Sequence, residues 1–467
     1  MKRFPLVLLS LLAVILFFPI SNLIGLQGKN ELIPVVLQSS EGYNKVSQIM
    51  QDKCVDCHAP GMLRKPFYSA FPIAKQLMEK DMEQGSARLS LSIKLFSGEE
   101  AFTPLMLARI EHVIRNDSMP PAQYLAMHWT DSLSADEKQI ILAWIVEERA
   151  KSLWSQDAAA EFKGEPITPL PLKIELDADK VSLGDKLFHD RLLSGDNTLN
   201  CASCHDLTRG GTDQSKVATG IRGQQGPINS PTVYNTMYNL AQFWDGRAKD
   251  LQEQAAGPVA NPVEMGALWD EVVEKLKQVL EYQDAFAKLY PAQGLNKTTV
   301  TDAIAVFEQS LVTGNSRFDR YLRGNTAMLT SDEIQGYALF KTNCTSCHAG
   351  PALGGLSYEK MGVKRDYFKM RDGELTEADN GRFNVTKQEK DRHFFKVPVL
   401  RNIELTYPYF HDGSVSSLKE AVRIMGEVQL NKAFNNDEIA KMEAFLRTLT
   451  GEYKGKSLAR LTVEDIQ

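Results

Sequence analysis

A mainly α-helical chain of three successive modules is predicted by three observations. Cys-x-x-Cys-His pentads beginning at Cys54, Cys201 and Cys344 divide the 467 residues at intervals of 147 and 143. Capping-box patterns followed by apolar residues at helical spacing mark helices beside them. Long stretches rich in Gly and Pro follow each pentad, as expected where loops wrap a bound group that itself supplies much of the core.

The pentads are Cys54, Cys57 and His58, then Cys201, Cys204 and His205, then Cys344, Cys347 and His348, and together they use all six cysteines. Two thiols one helical turn apart can reach both vinyl groups of one haem while the next imidazole binds its iron. No thiol is left over for a disulfide framework, and a zinc site would need a second cysteine pair close to the first. The expectation is three covalently attached haem c groups in three cytochrome c-type domains, at 29–160, 161–329 and 330–467, behind a segment 1–28.

That first segment opens with Lys2 and Arg3, followed by an uncharged, mainly apolar stretch from Phe4 to Leu26. Such a stretch is long enough to cross the hydrocarbon core, and the basic residues before it favour a cytoplasmic N-terminus. The rest of the chain is then expected to face the periplasm from a single-pass anchor in a bacterial inner membrane. A cleaved signal peptide is the competing reading, with Pro19 ending the apolar core and Ser21 or Gly25 near a cut; no Ala-x-Ala site follows, which favours the uncleaved anchor. Both readings export the chain, in agreement with covalent haem attachment.

In the first module Ser134 and Glu137 form a capping-box pattern, and Ile140, Ile141, Trp144 and Ile145 make the apolar stripe of a closing helix. The segment Glu165-Pro-Ile-Thr-Pro-Leu-Pro171 reads as an extended spacer, because proline fixes φ and stops helices. Before the third pentad, Thr330 and Glu333 form another capping box, with Ile334, Ala338 and Leu339 expected on the core face. Ile439, Met442, Phe445, Leu446 and Leu449 predict a final core helix. The net charge of −6 comes with no basic stripe, which argues against nucleic acid as a partner.

The chemistry at each haem depends on its sixth ligand, since a thioether fills the coordination sphere and an empty position admits a reactant. Met119, in Ser118-Met-Pro-Pro121, is the candidate in the first module, ahead of Met62, Met78, Met82 and Met106; His112 and His128 are assigned to the surface. The second module has no histidine between His205 and His348, and Met237, Met265 and Met328 lack a Met-Pro context. An open iron is therefore expected, with Glu264 as a carboxylate for acid–base work. In the third module spacing does not choose among Met361, Met370, Met425, His393 and His411.

From about residue 165 to 450 the sequence resembles the bacterial di-haem cytochrome c peroxidases. The resemblance is carried by Leu183-Gly-Asp-Lys-Leu-Phe188, Asn229-Ser-Pro-Thr-Val233, Phe243-Trp-Asp-Gly-Arg247, Gln254-Ala-Ala-Gly-Pro258, Pro262-Val-Glu-Met265, Leu400-Arg-Asn402 and Tyr409-Phe-His-Asp-Gly413. With the extra module in front, the whole chain looks like the triheme quinol peroxidases of Gram-negative bacteria. The resemblance implies that the haem of His205 is peroxidatic, with Glu264 and Gln254 on its distal side, and that Trp244 lies between it and a high-potential haem ligated by His348 and Met425. It also implies a calcium ion held by the Asn229 side chain and the carbonyls of Thr406 and Pro408. Read from the residues alone, Trp244 could equally be core and Asn229 a turn residue.

One departure matters: the stretch Ala218-Thr-Gly-Ile-Arg-Gly223 lacks the histidine with which many family members cap the resting peroxidatic haem, which implies an enzyme that needs no reductive activation. The expected activity is reduction of hydrogen peroxide to water with electrons from the quinol pool, or alternatively from a soluble cytochrome c. A non-catalytic multihaem cytochrome would need a sixth ligand on all three irons. Relatives that oxidise tryptophans of a partner protein carry tyrosine where this chain has Met425. The oligomeric state is left open, since family dimers could be obstructed by the added module.

Overall fold

The computed structural model describes residues 41–59, 67–371 and 373–466, with scattered positions between 12 and 21. The Phe4 to Leu26 stretch lies mostly outside the described residues, among which no helix is long and apolar enough to cross a membrane. The chain divides into two compact units, Met1–Ser152 and Leu153–Gln467. The first holds one pentad and the second holds two.

In the first unit, α1 (Glu41–Lys53) leads into α2 (Val55–His58), which carries Cys57 and His58; α3 (Pro72–Arg88), α4 (Pro104–Arg115) and α5 (Ala135–Lys151) follow. The Ser134–Glu137 capping box forms in both directions, and Ile141, Trp144 and Ile145 of α5 are buried against Tyr43, Val46 and Met50 of α1, with Ile140 at the edge. The closing helix therefore packs on the first, as its stripe predicts. Lys53 at the end of α1 donates to the carbonyl of Ser132 and pairs with Glu137, which ties the pentad to the start of α5. His128 is a correction to the surface assignment. Its side chain is only 12% exposed, its ring stacks on Tyr124 with centroids 4.0 Å apart, and its Nε2 lies 3.3 Å from the Tyr68 hydroxyl.

In the second unit, α6 (Ala178–Phe188) packs on α8 (Lys297–Ser310), with α7 (Leu251–Ala260) alongside, around a core that includes Leu187, Phe188, Ile304 and Phe307. The approach is so close that a Cβ on Gly184 would lie 2.0 Å from the Ala303 carbonyl oxygen, so only glycine fits. The same construction recurs around the third pentad. There α9 (Ser331–Asn343) packs on α11 (Asn436–Arg447), with α10 (Leu418–Leu430) between them in sequence, and a Cβ on Gly336 would meet the Lys441 carbonyl oxygen at 1.9 Å. An antiparallel ribbon of β1 (Tyr358–Lys360) and β2 (Phe394–Lys396) pairs Tyr358 with Lys396.

Two expectations are corrected in this unit. The core face of α9 is Glu333, Gly336, Tyr337 and Phe340, while Ile334 and Ala338 are exposed. The two aromatic rings bury more area than the aliphatic set, and Gly336 lets α11 settle on their side. The capping box at Thr330 and Glu333 forms as expected. The Glu165–Pro171 segment is extended but is not a free spacer. Ile167 and Leu170 are fully buried, Gly350 N–H donates to the Pro166 carbonyl, and Glu165 pairs with Lys341.

This strap is also held by a fully buried ion pair. Arg401 and Asp319 are both 0% exposed and 2.8 Å apart; Arg401 donates to the Thr168 carbonyl, and Asp319 accepts from the Leu170 N–H. Removing one partner strands the other charge in a low dielectric. Arg401→Met should therefore destabilise the protein by about 3–5 kcal/mol, measured by urea unfolding of the holoprotein. A loss under about 1 kcal/mol would mean that the N–H donors around Asp319 suffice to hold its charge.

Candidate haem and peroxide site

All three pentad histidines are fixed in the same way. Nδ1 of His58, His205 and His348 donates to the carbonyl oxygens of Leu89 (2.8 Å), Gly211 (3.3 Å) and Leu353 (3.0 Å) respectively. A carbonyl can only accept, so the proton sits on Nδ1 and the lone pair on Nε2, as a metal-ligating imidazole requires. Burial pushes the His205 pKa down and that of His348 to about 4, which keeps both rings neutral. The chemistry of this donor set fits c-type haem: Cys54, Cys57, Cys201, Cys204, Cys344 and Cys347 would be the attachment points, and the imidazoles would hold iron.

The two residues that the resemblance assigns to the distal side of the second pentad lie on α7 and the loop after it. Gln254 lies on α7, and its Oε1 is buried with no hydrogen-bond partner among the described residues. A buried amide oxygen left unmade in this way suits a ligand that donates to it. Glu264 lies on the loop, where Asn261 Nδ2 donates to its Oε1 at 2.7 Å. Burial raises the Glu264 carboxyl above the usual range, opposed by the Arg247 guanidinium and by the Asn261 bond. Arg247 itself stacks 3.6 Å from the Phe243 ring centroid and pairs with Asp245.

The stretch without a histidine braces this loop. Ile221 N–H donates to the Glu264 carbonyl at 2.7 Å, and Gln224 Nε2 donates to that of Pro262 at 3.0 Å. A Cβ on Gly220 would lie 1.9 Å from the Val263 carbonyl oxygen, so glycine is required for the contact. Met265 points into the hydrophobic core beside Val272 and Leu276.

Trp244 donates from Nε1 to the Asn229 carbonyl at 3.0 Å and presents its ring edge-on to His411, centroids 6.4 Å apart. It packs with Met425, Met361, Tyr367 and Phe395 in one cluster. The structure thus brings together Trp244 and the Met425 of the third pentad's module. Met370 is 43% exposed. Both histidines of this module are engaged elsewhere: His411 Nε2 bonds Asp379 Oδ1 at 2.8 Å, and His393 Nδ1 donates to the Asp379 carbonyl. Arg371 pairs with both Asp379 and Asp412, completing a buried polar network that motif reading did not single out.

In the first unit Met119 is 38% exposed on the loop before α5 and joined to Pro120 by a cis peptide. Met106 packs at the edge of the unit's core; Met62 lies outside the described residues. Asn229 donates from Nδ2 to the carbonyls of Ser215 and Lys216, leaving Oδ1 as its acceptor. The turn carrying Thr406 and Pro408 is tied to the same strip, because Gln214 Nε2 donates to the Leu405 carbonyl and Tyr407 bonds Gln214. These are oxygen donors of the kind calcium takes. Glu308 of α8 is a second missed residue: it is buried beside Cys201, and burial raises its carboxyl to about 8.

A family model described as di-haem cytochrome c peroxidase matches residues 178–327, and one described as a haem-binding domain matches residues 12–147. The chain is 44% identical over 415 residues to the cytochrome c peroxidase of Escherichia coli, covering 88% of each chain. It is 50% identical over 289 residues to the cytochrome c551 peroxidase of Nitrosomonas europaea, covering 62% of this chain and 85% of that one. Among solved structures, a MauG-like protein associated with microbial copper homeostasis superposes with a TM-score of 0.54 at 30% identity, over 62% of this chain and 93% of that one.

Proposed function

We propose, for a chain that belongs to the di-haem cytochrome c peroxidase family and carries a haem-binding domain ahead of it, a triheme peroxidase fed from the membrane quinol pool. That it is a haem peroxidase reducing hydrogen peroxide follows from relatives of that name at 41–50% identity. The finer reading concerns which residues act, where the electrons come from and where the protein sits.

The haem held by Cys201, Cys204 and His205 supplies the redox chemistry that cleaves the O–O bond. Around it the protein binds, orients and moves protons. Glu264 accepts a proton from the peroxide and returns it to the oxygen that leaves as water; burial raises its pKa, which favours a group that must both take and give a proton. Gln254 accepts a hydrogen bond at Oε1 and orients the peroxide. The bracing of the Glu264 loop by Ile221 and Gln224 holds that geometry before substrate arrives. With no histidine between His205 and His348, the site is ready without prior reduction.

Met425 would ligate the haem of the third pentad and Met119 that of the first, and Trp244, which lines the same cluster as Met425, would lie toward the peroxide site. Asn229, Thr406 and Pro408 would hold a calcium ion, which would steady the Trp244 region because the Asn229 carbonyl also accepts the Trp244 N–H. The anchor at Phe4 to Leu26 places the catalytic domains in the periplasm, on the outer face of a bacterial inner membrane. The donor reading is carried by one observation: the first pentad occupies a compact unit of its own, a third haem site that a two-haem peroxidase fed by a soluble cytochrome c does not need.

The test is peroxide turnover by the full-length holoenzyme with a reduced quinol and a reduced soluble cytochrome c in competition. Three haems per chain by pyridine haemochrome, with the quinol preferred, is the expected result. Two haems would remove the first unit from the electron route, and preference for the cytochrome would overturn the donor while leaving the peroxidase.

A further inference from the structure

Lys396 is a buried cation that the peroxidase reading does not use. Its side chain is 7% exposed at the end of β2, and among the described residues it has no carboxylate within ion-pair distance and no hydrogen-bond acceptor. Burial alone lowers its pKa, to about 8, with no neighbouring charge contributing. A buried ammonium that lacks a counter-ion is costly, and proteins retain one where an anion is bound beside it.

Its position says which anion. Lys396 N–H donates to the Trp244 carbonyl at 2.8 Å, so the residue is fixed to the backbone of the tryptophan that packs with Met425. The adjoining Val397 exchanges hydrogen bonds with Gly355 and Ser357, in the loop whose Leu353 carbonyl fixes His348. Within the ribbon, directly paired residues share a face, so Lys396 lies on the side of Tyr358, and Phe395 lies on the opposite side, stacked on His411. The Tyr358 ring also carries the Arg382 guanidinium, 4.6 Å from its centroid, which donates to the Asp245 and Gly246 carbonyls and has no ion pair among the described residues. Among the described residues Lys396 thus lies beside the Trp244 backbone with no protein carboxylate paired to it.

We propose that Lys396 binds the propionate carboxylate of a haem of the second unit and thereby sets that haem's potential at the electron route. The inference rests on haem attachment by the pentads and not on the identity of the donor. A carboxylate is the anionic part of a haem, and a charge-assisted bond to a buried ammonium is short and strong. A fixed positive charge beside the porphyrin disfavours the ferric state, so its removal lowers the potential.

Two measurements on the holoenzyme test this. In Lys396→Met, which keeps the volume and removes the charge, spectroelectrochemical titration should show one haem of the second unit shifted to lower potential. The expected change is tenfold or more in its one-electron equilibrium, about 59 mV for each factor of ten. Lys396→Arg should return it to within threefold, and the haem that moves identifies whose propionate is bound. Both potentials unchanged within twofold in a fully haem-loaded Lys396→Met protein would overturn the proposal. A crystal structure of the wild-type holoenzyme decides independently of how the variants fold. Nζ within hydrogen-bond distance of a propionate oxygen supports the proposal, and propionates that all bond elsewhere overturn it.

Discussion

Replacing Glu264 by Gln should lower peroxide turnover by about 10²–10⁴-fold, the usual contribution of a placed proton-transfer group, while haem content and spectra stay intact. Glutamine keeps the size and leaves an oxygen to accept the Asn261 bond, and the loop is held through the Glu264 and Pro262 carbonyls rather than the carboxylate. Loss of activity can then be assigned to the proton and not to the fold. The pH profile gives a second readout. The deprotonated carboxylate is the form that accepts a proton, and burial raises the pKa above the ordinary value of 4.5. Wild-type activity should accordingly fall on acidification through a limb lying above 4.5, and this limb should be absent from what remains in the variant. Turnover within about threefold of wild type would reduce Glu264 to a loop residue.

Features encoded locally were legible in the sequence. The capping boxes at Ser134 and Thr330 and the stripes of α5 and α11 depend on residues a turn or two apart, and they form as read. What failed was decided at long range. The face of α9 was misjudged because the choice between Ile334 and Tyr337 is made by α11, more than ninety residues later, coming to rest on Gly336. A signal for it existed: Gly184 and Phe188 in α6, and Gly336 and Phe340 in α9, share one spacing, and each glycine receives a crossing helix. The strap at Glu165–Pro171 was correctly extended but wrongly free, since its partners Lys341, Gly350 and Arg401 are far away in sequence.

The candidate site divides in the same way. Gln254 and Trp244 came from motif resemblance, and Glu264 from the residues and the resemblance together; the geometry adds an unmet amide oxygen, a carboxyl raised by burial and the bracing loop. Lys396 and the Asp379–Arg371–Asp412 network could not be read, because one lysine in Phe394-Phe-Lys396 looks like any other until its burial is known.

Cutting the chain after Ser152 should abolish quinol-driven peroxide turnover, a loss of at least about a hundredfold for removal of an obligatory electron port, while turnover with a soluble reduced cytochrome persists. The cut site follows from the structure. The compact units divide between Ser152 and Leu153, whereas a cut at 160 would strip Ser155 and Ala158, both buried in the second unit. Ala159 N–H also donates to the Leu322 carbonyl, so residues 153–170 belong with the peroxidase and should be kept. The remaining chain retains two pentads, the Glu264 loop and the Arg401–Asp319 pair, and should load two haems. Haem content and cytochrome-driven turnover are then the controls that the fragment is intact. If that fragment kept full quinol-driven activity, the haem of His58 and Met119 would not be the port, and the first unit would serve only to retain the enzyme at the membrane.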